Sequence, residues 1–270
     1  SKKPSELRYG AARAHNRHMV DFCSDDERLL GVGIVPLDDP EYAIAEAEWA
    51  IDNGLKAIWV PHRAPIDRSP GHVELEPFWQ TLAESNTPFV FHVGGSPLQV
   101  LGSWSNNGRA ATKDWMGGGE NVRTKDAALL HQPPETFVSM LVLDGVLERH
   151  PGLKGAAVEL GAGWVPELIR RLDWVSKVYS RVDESVRFER PPSEQIKEQL
   201  AFTPFHHEDV KRLIEDSHED LYLFSSDYPH VEGTKDPIGR FERFISDLDE
   251  DLKDKFYSGN FLRIWPESRV

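Results

Sequence analysis

The chain has 270 residues, with 31 Lys and Arg against 45 Asp and Glu and a formal charge of −14 with histidine neutral. Hydrophobic residues make up 39% and charged residues 28%, a globular mix too apolar for a disordered chain and too charged for a membrane-embedded one. The acidic balance excludes a basic face for a nucleic-acid backbone, the lone cysteine (Cys23) excludes a disulfide framework or Cys-based zinc cluster, and no apolar run approaches the ~18 residues of a transmembrane helix.

The opening residues, SKKPSELRYG, carry no apolar signal-peptide core, so a reducing, cytoplasmic setting is expected. A helix is predicted over about Leu7 to Asp21. The first strand is Leu29 to Leu37 (LLGVGIVPL). A helix from about Pro40 to Asn53 follows, with Asp39 as its cap, a proline in its first turn and Gly54 as its stop. Lys56 to Pro61 is the second strand, Pro77 to Glu84 a helix, and Phe89 to Gly94 (FVFHVG) the third strand. Gly95 to Asp126 is rich in Gly and Asn without alternation. It is expected to be a long loop, either a lid over the active face or an oligomer contact. A helix over about Glu135 to Arg149 leads to the fourth strand, Lys154 to Leu160 (KGAAVEL). Leu200 to Phe205 and Leu221 to Asp227 are the fifth and sixth strands, with a helix over Glu208 to Asp216 between them. A helix pair covers about Asp236 to Tyr257.

Short apolar runs separated by helices predict α/β architecture, a parallel sheet with helices outside. Two forms compete, a doubly wound sheet and a (β/α)8 TIM barrel. No GxGxxG follows a strand. The strand ends read Pro36, Pro61-His62-Arg63, His92, Glu159, Phe205-His206-His207 and Asp227. Titratable residues at all of these ends but the first favour the barrel, whose chemistry sits at the C-terminal ends of its strands. A closed barrel needs eight strands, and six are legible.

His92 ends an apolar strand and is followed by two glycines. Asp227 ends another in the turn SSDYPH. Imidazole plus carboxylate is ordinary ligation for Zn²⁺, Mn²⁺ or Fe²⁺, so His92 and Asp227 are the candidate metal ligands. Glu159 follows small and apolar residues, where a carboxylate needs a partner or a metal. Asp227, Glu159 and His230 are the candidate catalytic residues. His230, three residues after Asp227, is placed to bond substrate or shuttle a proton. His62, Arg63 and Trp164 are candidates for binding substrate, with Arg109, Trp104 and Trp115 as weaker ones. His206 and His207 fit a helix N-terminus better than ligation. His15 and His18 lie on the solvated face of the first helix. Cys23 is surrounded by carboxylates and is a poor nucleophile. Gly117 to Glu120 is a weak phosphate loop, since no strand precedes it. No P-loop, GxSxG or HExxH occurs.

FSSDYPHVEG resembles the segment closing the last barrel strand in the amidohydrolase-related family that includes aminocarboxymuconate semialdehyde decarboxylase. HPGLKGAAVELGAGWVPELIRRLDWV and FVFHVGG look like that family's sixth and fifth strands, and AHNRHMVDFCSDDERLLGVGIVPLDDPEYAIAEAEWAIDNGLKAIWVP like its third and fourth. The resemblance implies a metal-dependent barrel across 1–270, with strands three to eight present. Strands one and two, which carry paired metal ligands in this family, would lie upstream of Ser1. It also implies hydrolysis or non-oxidative decarboxylation of a small carboxylated aromatic or muconate-like substrate, with a divalent metal (Zn foremost) and a homodimer or larger homo-oligomer. Glu159 stands where many relatives have histidine. The competing expectation is a degenerate barrel that binds a ligand or partner without turnover.

Overall fold

The computed structural model describes residues 4–96, 102–110, 124–228, 230 and 233–266. Helix α1 (Pro4–Cys23) precedes strand β1 (Val32–Ile34). Then follow α2 (Pro40–Asp52), β2 (Ala57–Trp59), α3 (Glu76–Glu84) and β3 (Phe89–His92). Short helices α4 (Gly102–Ser105) and α5 (Thr124–Ala128) lead to α6 (Gln132–Leu143), α7 (Val146–Arg149) and β4 (Gly155–Val158). The chain continues through α8 (Val165–Tyr179), α9 (Pro192–Gln199), β5 (Leu200–Phe202) and α10 (Val210–Asp216). It ends with α11 (Pro237–Ile245), α12 (Glu250–Asp254) and α13 (Asn260–Ile264).

All strand pairs are parallel, in the order β1-β2-β3-β4-β5. A doubly wound sheet reverses its order at a switch point. This sheet does not, so its winding is of the barrel type. The expected sixth strand needs correction. Leu221 to Asp227 joins the sheet through one parallel bridge, Phe202 to Tyr222, and through Leu223 N–H donating to the Phe202 carbonyl at 2.9 Å. The two serines that follow offer nothing apolar to pack, and Asp227 turns left-handed, so regular pairing stops. The helix expected over Glu135 to Arg149 is two helices, α6 and α7. Helices α9 and α13 have no counterpart in the sequence reading, because one is polar and the other only five residues long.

Alternation along the strands builds two apolar layers. Val35, Ile58, Phe89, Phe91, Ala157 and Phe202 face the helices, where Trp79, Phe137 and Leu168 are also buried. Ala57, Val90, Ala156, Ala201 and Leu223 face the other way and pack with Ile264. Three alanines, Ala57, Ala156 and Ala201, form part of the inner layer, with Val32, Trp59, Val158 and Trp265 packed against it. Among the described residues, no helix is long and apolar enough to cross a membrane.

Strand β1 is an edge strand among the described residues, and α1 covers it. Asn16, fully buried, stands in for a neighbouring strand. Its Oδ1 accepts from Ile34 N–H at 2.6 Å and its Nδ2 donates to the Ile34 carbonyl at 3.0 Å. The same amide donates to Glu46 Oε1 at 2.9 Å, and Arg13 pairs with Glu46 Oε2 at 3.2 Å. An exposed edge invites pairing with another chain; here its polar groups are consumed internally.

Asp38, just past β1, ties this edge to β2. Arg63 Nη1 and Nη2 donate to its two oxygens at 3.0 and 2.8 Å, and Arg8 pairs with it as well. Burial works against the Asp38 charge, but the guanidiniums outweigh it, Arg63 first, and hold the carboxyl below its ordinary 3.8.

Two outcomes follow for stability. Asn16→Leu strands two buried backbone groups, so urea unfolding should show a loss of roughly 2 kcal/mol; a loss under about 0.5 kcal/mol would contradict the edge-capping role. Asp38→Asn should cost about 2 kcal/mol at pH 7, less than a fully buried pair because both arginines keep solvent contact. A depressed carboxylate pKa contributes stability above its unfolded value and loses it as pH falls through the folded one. The gap between wild type and variant should therefore narrow below pH 3.8, and a gap unchanged from pH 7 to about 2 would contradict the assignment.

Candidate metal-binding and catalytic site

Val90 and His92 lie two apart on β3, so both face the inner layer. The register places His92 beside Val158, the last residue of β4. Glu159 comes next, and strand parity alone would send it to the helix side. Its φ of +56° breaks that parity, and its side chain lines the cavity at the strand ends. A left-handed glutamate costs ~1–2 kcal/mol. Asp227 has the same anomaly, with φ +55°. Backbone strain of this kind is concentrated at functional sites. Thr203 Oγ1 accepts from Glu159 N–H at 3.0 Å and fixes the turn. Behind Asp227, His230 N–H donates to its carbonyl at 2.9 Å. Gly233 packs so close that a Cβ there would lie 2.9 Å from the Asp227 carbonyl oxygen.

The cavity has a volume of about 340 Å³ and is lined by His92, Glu159 and Asp227 with Thr203, His206 and His207. His230 stands beside it, its Nδ1 3.6 Å from Asp227 Oδ1 and 3.9 Å from Glu159 Oε1. One donor atom from each of Glu159, Asp227 and His230 lies within 4.8 Å of the others.

His92 completes the set. Its Nδ1 lies 2.8 Å from the Val93 carbonyl. A carbonyl only accepts, so Nδ1 carries the proton. Its Nε2 then faces Glu159 Oε2 at 2.7 Å, and that oxygen is buried without a hydrogen-bond partner. Two acceptors this close demand a proton or a cation between them. Burial opposes protonation of His92, yet Glu159, the Val93 carbonyl and Asp227 together raise its pKa above the ordinary 6.5. A backbone carbonyl holding the far nitrogen is also how metal-ligating histidines are oriented. The buried Glu159 oxygen, the imidazole nitrogen facing it, the second carboxylate and His230 therefore fit a divalent cation, and an N and O donor set suits Zn²⁺, Mn²⁺ or Fe²⁺.

Of the residues singled out in the sequence, His92, Glu159, Asp227 and His230 come together. Of the expected ligand pair, Asp227 belongs to the group of donor atoms with Glu159 and His230, and His92 faces that group through Glu159. Arg63 donates from Nη1 and Nη2 to Asp38 and also lines a second cavity beside His62. Trp164 needs correction. It is buried in the core, edge-on to Phe202 at 5.3 Å, and its indole N–H is shared by the Leu160 and Gly161 carbonyls. His62 is 1% exposed, and burial first, then His92, push its pKa down to about 4. It lines that second cavity with Arg68, Gln132 and Met140. His206 and His207 line the main cavity instead of capping α10, whose cap is Asp209. His15 and His18 stay on α1. Trp104 and Arg109 are exposed, while Trp115, Gly117 to Glu120 and most of the expected 95–126 lid lie outside the described residues. Sequence reasoning missed Thr203. The only trace of it is a hydroxyl residue one position past an apolar run.

The amidohydrolase family profile matches residues 6–266. Comparison with curated proteins returns no significant match. Among solved structures, an amidohydrolase from Mycobacterium avium subsp. paratuberculosis K-10 is 27% identical with a TM-score of 0.72. The match covers 87% of this chain and 57% of that one, so this chain spans little more than half the length of that protein. The 5-carboxyvanillate decarboxylase of Sphingomonas paucimobilis is 20% identical, TM-score 0.68, over 95% of this chain and 72% of its own. A manganese-bound dihydroxybenzoic acid decarboxylase from Polaromonas sp. JS666 is 19% identical, TM-score 0.71, over 98% and 78%. These last two likenesses show the shared barrel-type fold. With a profile match running nearly end to end, the chain belongs to the amidohydrolase family.

Proposed function

We propose that this chain carries the metal centre of an enzyme that removes carbon dioxide, without oxidation, from a small carboxylated aromatic or muconate-like acid. Hydrolysis of a related substrate is the other outcome the same centre allows. The observation that carries the reading is the convergence of donor atoms of Glu159, Asp227 and His230 within 4.8 Å of one another, with His92 Nε2 2.7 Å from Glu159 Oε2. The decarboxylase structures of similar fold, one of them holding manganese, support the reaction class. In this reading β1 to β5 and the bridged Tyr222 run correspond to the third to eighth strands of a (β/α)8 barrel.

Glu159, Asp227 and His230 would hold the cation, with His92 Nε2 directed at the same volume. Bound there, a divalent cation supplies Lewis-acid polarisation of a substrate oxygen. The protein's own groups do the rest. Asp227, next to His230 at 3.6 Å, moves the proton. In decarboxylation, it passes a proton to the substrate carbon that bears the carboxylate. The bond to that carboxylate then breaks, its electron pair returns to the carbon skeleton, and carbon dioxide leaves. The His230 N–H holds the Asp227 backbone carbonyl at 2.9 Å, and Thr203 keeps Glu159 turned inward.

The test is metal analysis followed by turnover of carboxylated aromatic and muconate acids. The protein should bind about one equivalent of Mn²⁺ or Zn²⁺, lose activity to chelator and regain it on adding metal back. Asp227→Asn should lower kcat by about 10²- to 10⁴-fold while the fold survives, and Glu159→Gln should lose metal. Binding of ligands without turnover, unaffected by His92→Ala or Asp227→Asn, would instead identify a non-catalytic barrel.

A further inference from the structure

The loop after β4 and the loop after β5 form one side of the main cavity, and a single carboxylate joins them. Glu208 Oε1 and Oε2 accept from Ala162 N–H at 3.2 and 2.9 Å, Oε1 accepts from Gly163 N–H at 2.7 Å, and Oε2 accepts from Phe205 N–H at 2.7 Å. Ala162 and Gly163 lie three and four residues after Glu159. Phe205 lies two residues after Thr203, whose hydroxyl holds the Glu159 amide. The two loops are therefore pinned at two points, Thr203 on the cavity side and Glu208 beyond it.

The packing between these points leaves no slack. Gly161 has φ +67°, and a Cβ there would lie 2.9 Å from the Phe205 ring. The segment from Glu159 to Gly161 thus contains two left-handed residues over three positions. Such a turn opens readily to extended backbone unless its far end is fixed. Glu208 supplies that fixing, because three amide groups converging on one carboxylate make charge-assisted bonds stronger than neutral ones. Its place before the Asp209 cap gives it the look of an ordinary acidic residue at a helix start, which is why the sequence alone conceals the role.

We propose that Glu208 is a positioning residue for Glu159, holding that carboxylate in its inward, left-handed orientation through the two loops it joins. It touches neither the cavity's donor atoms nor any group proposed to react. The link to metal affinity rests on the function proposed above; the link to the Glu159 backbone does not.

Two variants test it in the full chain. Glu208→Gln keeps the size but replaces one acceptor oxygen with an NH₂ group that cannot accept. Glu208→Asp keeps the charge but is one methylene too short to reach both loops. Amide hydrogen exchange should quicken in both, at Ala162, Gly163 and Phe205 and also at Glu159, which Glu208 does not touch. Mn²⁺ titration by calorimetry should show affinity about 10- to 100-fold weaker than wild type in both. Unchanged exchange at Glu159 overturns the proposal whether or not metal binds. So does wild-type Mn²⁺ affinity in either variant. If the wild type itself binds no Mn²⁺, the metal reading fails and exchange at Glu159 decides the positioning role by itself.

Discussion

Glu159, Asp227, His230 and the imidazole of His92 bring their polar atoms together at one half-buried cavity. A carboxylate oxygen buried against an imidazole nitrogen needs a proton or a cation between them. Glu159 Oε2 is in that position, 2.7 Å from His92 Nε2. Without a cation, one shared proton eases the contact, which is why His92 is pushed toward its charged form. A divalent cation would satisfy all of the donors at once. The surrounding structure can be understood as the scaffold that keeps this unfavourable arrangement from relaxing.

The scaffold works through the backbone. Glu159 and Asp227 both adopt left-handed conformations, and at Glu159 this turns the side chain away from where strand parity would send it. Thr203 holds the Glu159 amide, and the close approach of Gly233 supports the Asp227 turn. Farther out, Asp38 gathers Arg8 and Arg63.

Much of this is legible in the sequence because burial is one-sided. A strand such as FVFHVGG or KGAAVEL announces its apolar run, and an ionisable residue at its end stands out as unaffordable unless partnered. His92, Glu159 and Asp227 follow from that rule, and the parallel sheet follows from the helix between each pair of strands. What the sequence hides is longer-range pairing. Arg63 looks free until Asp38, 25 positions away, accepts from its Nη1 and Nη2. Trp164 looks like a pocket wall until its N–H is seen closing the turn beneath it. The left-handed turn at Glu159 is hidden as well, since a residue with a Cβ gives no local sign of positive φ. The weak sixth strand misleads for the opposite reason, because its apolar residues pack without extending the ladder.

The most direct measurement is anomalous diffraction from crystals grown or soaked with Mn²⁺, which locates the ion without assuming a substrate. The account predicts one peak in the cavity, within bonding distance of oxygens from Glu159 and Asp227 and of an imidazole nitrogen. No peak there at full occupancy of other Mn²⁺ sites, with Glu159 and His92 still sharing a proton, would contradict it.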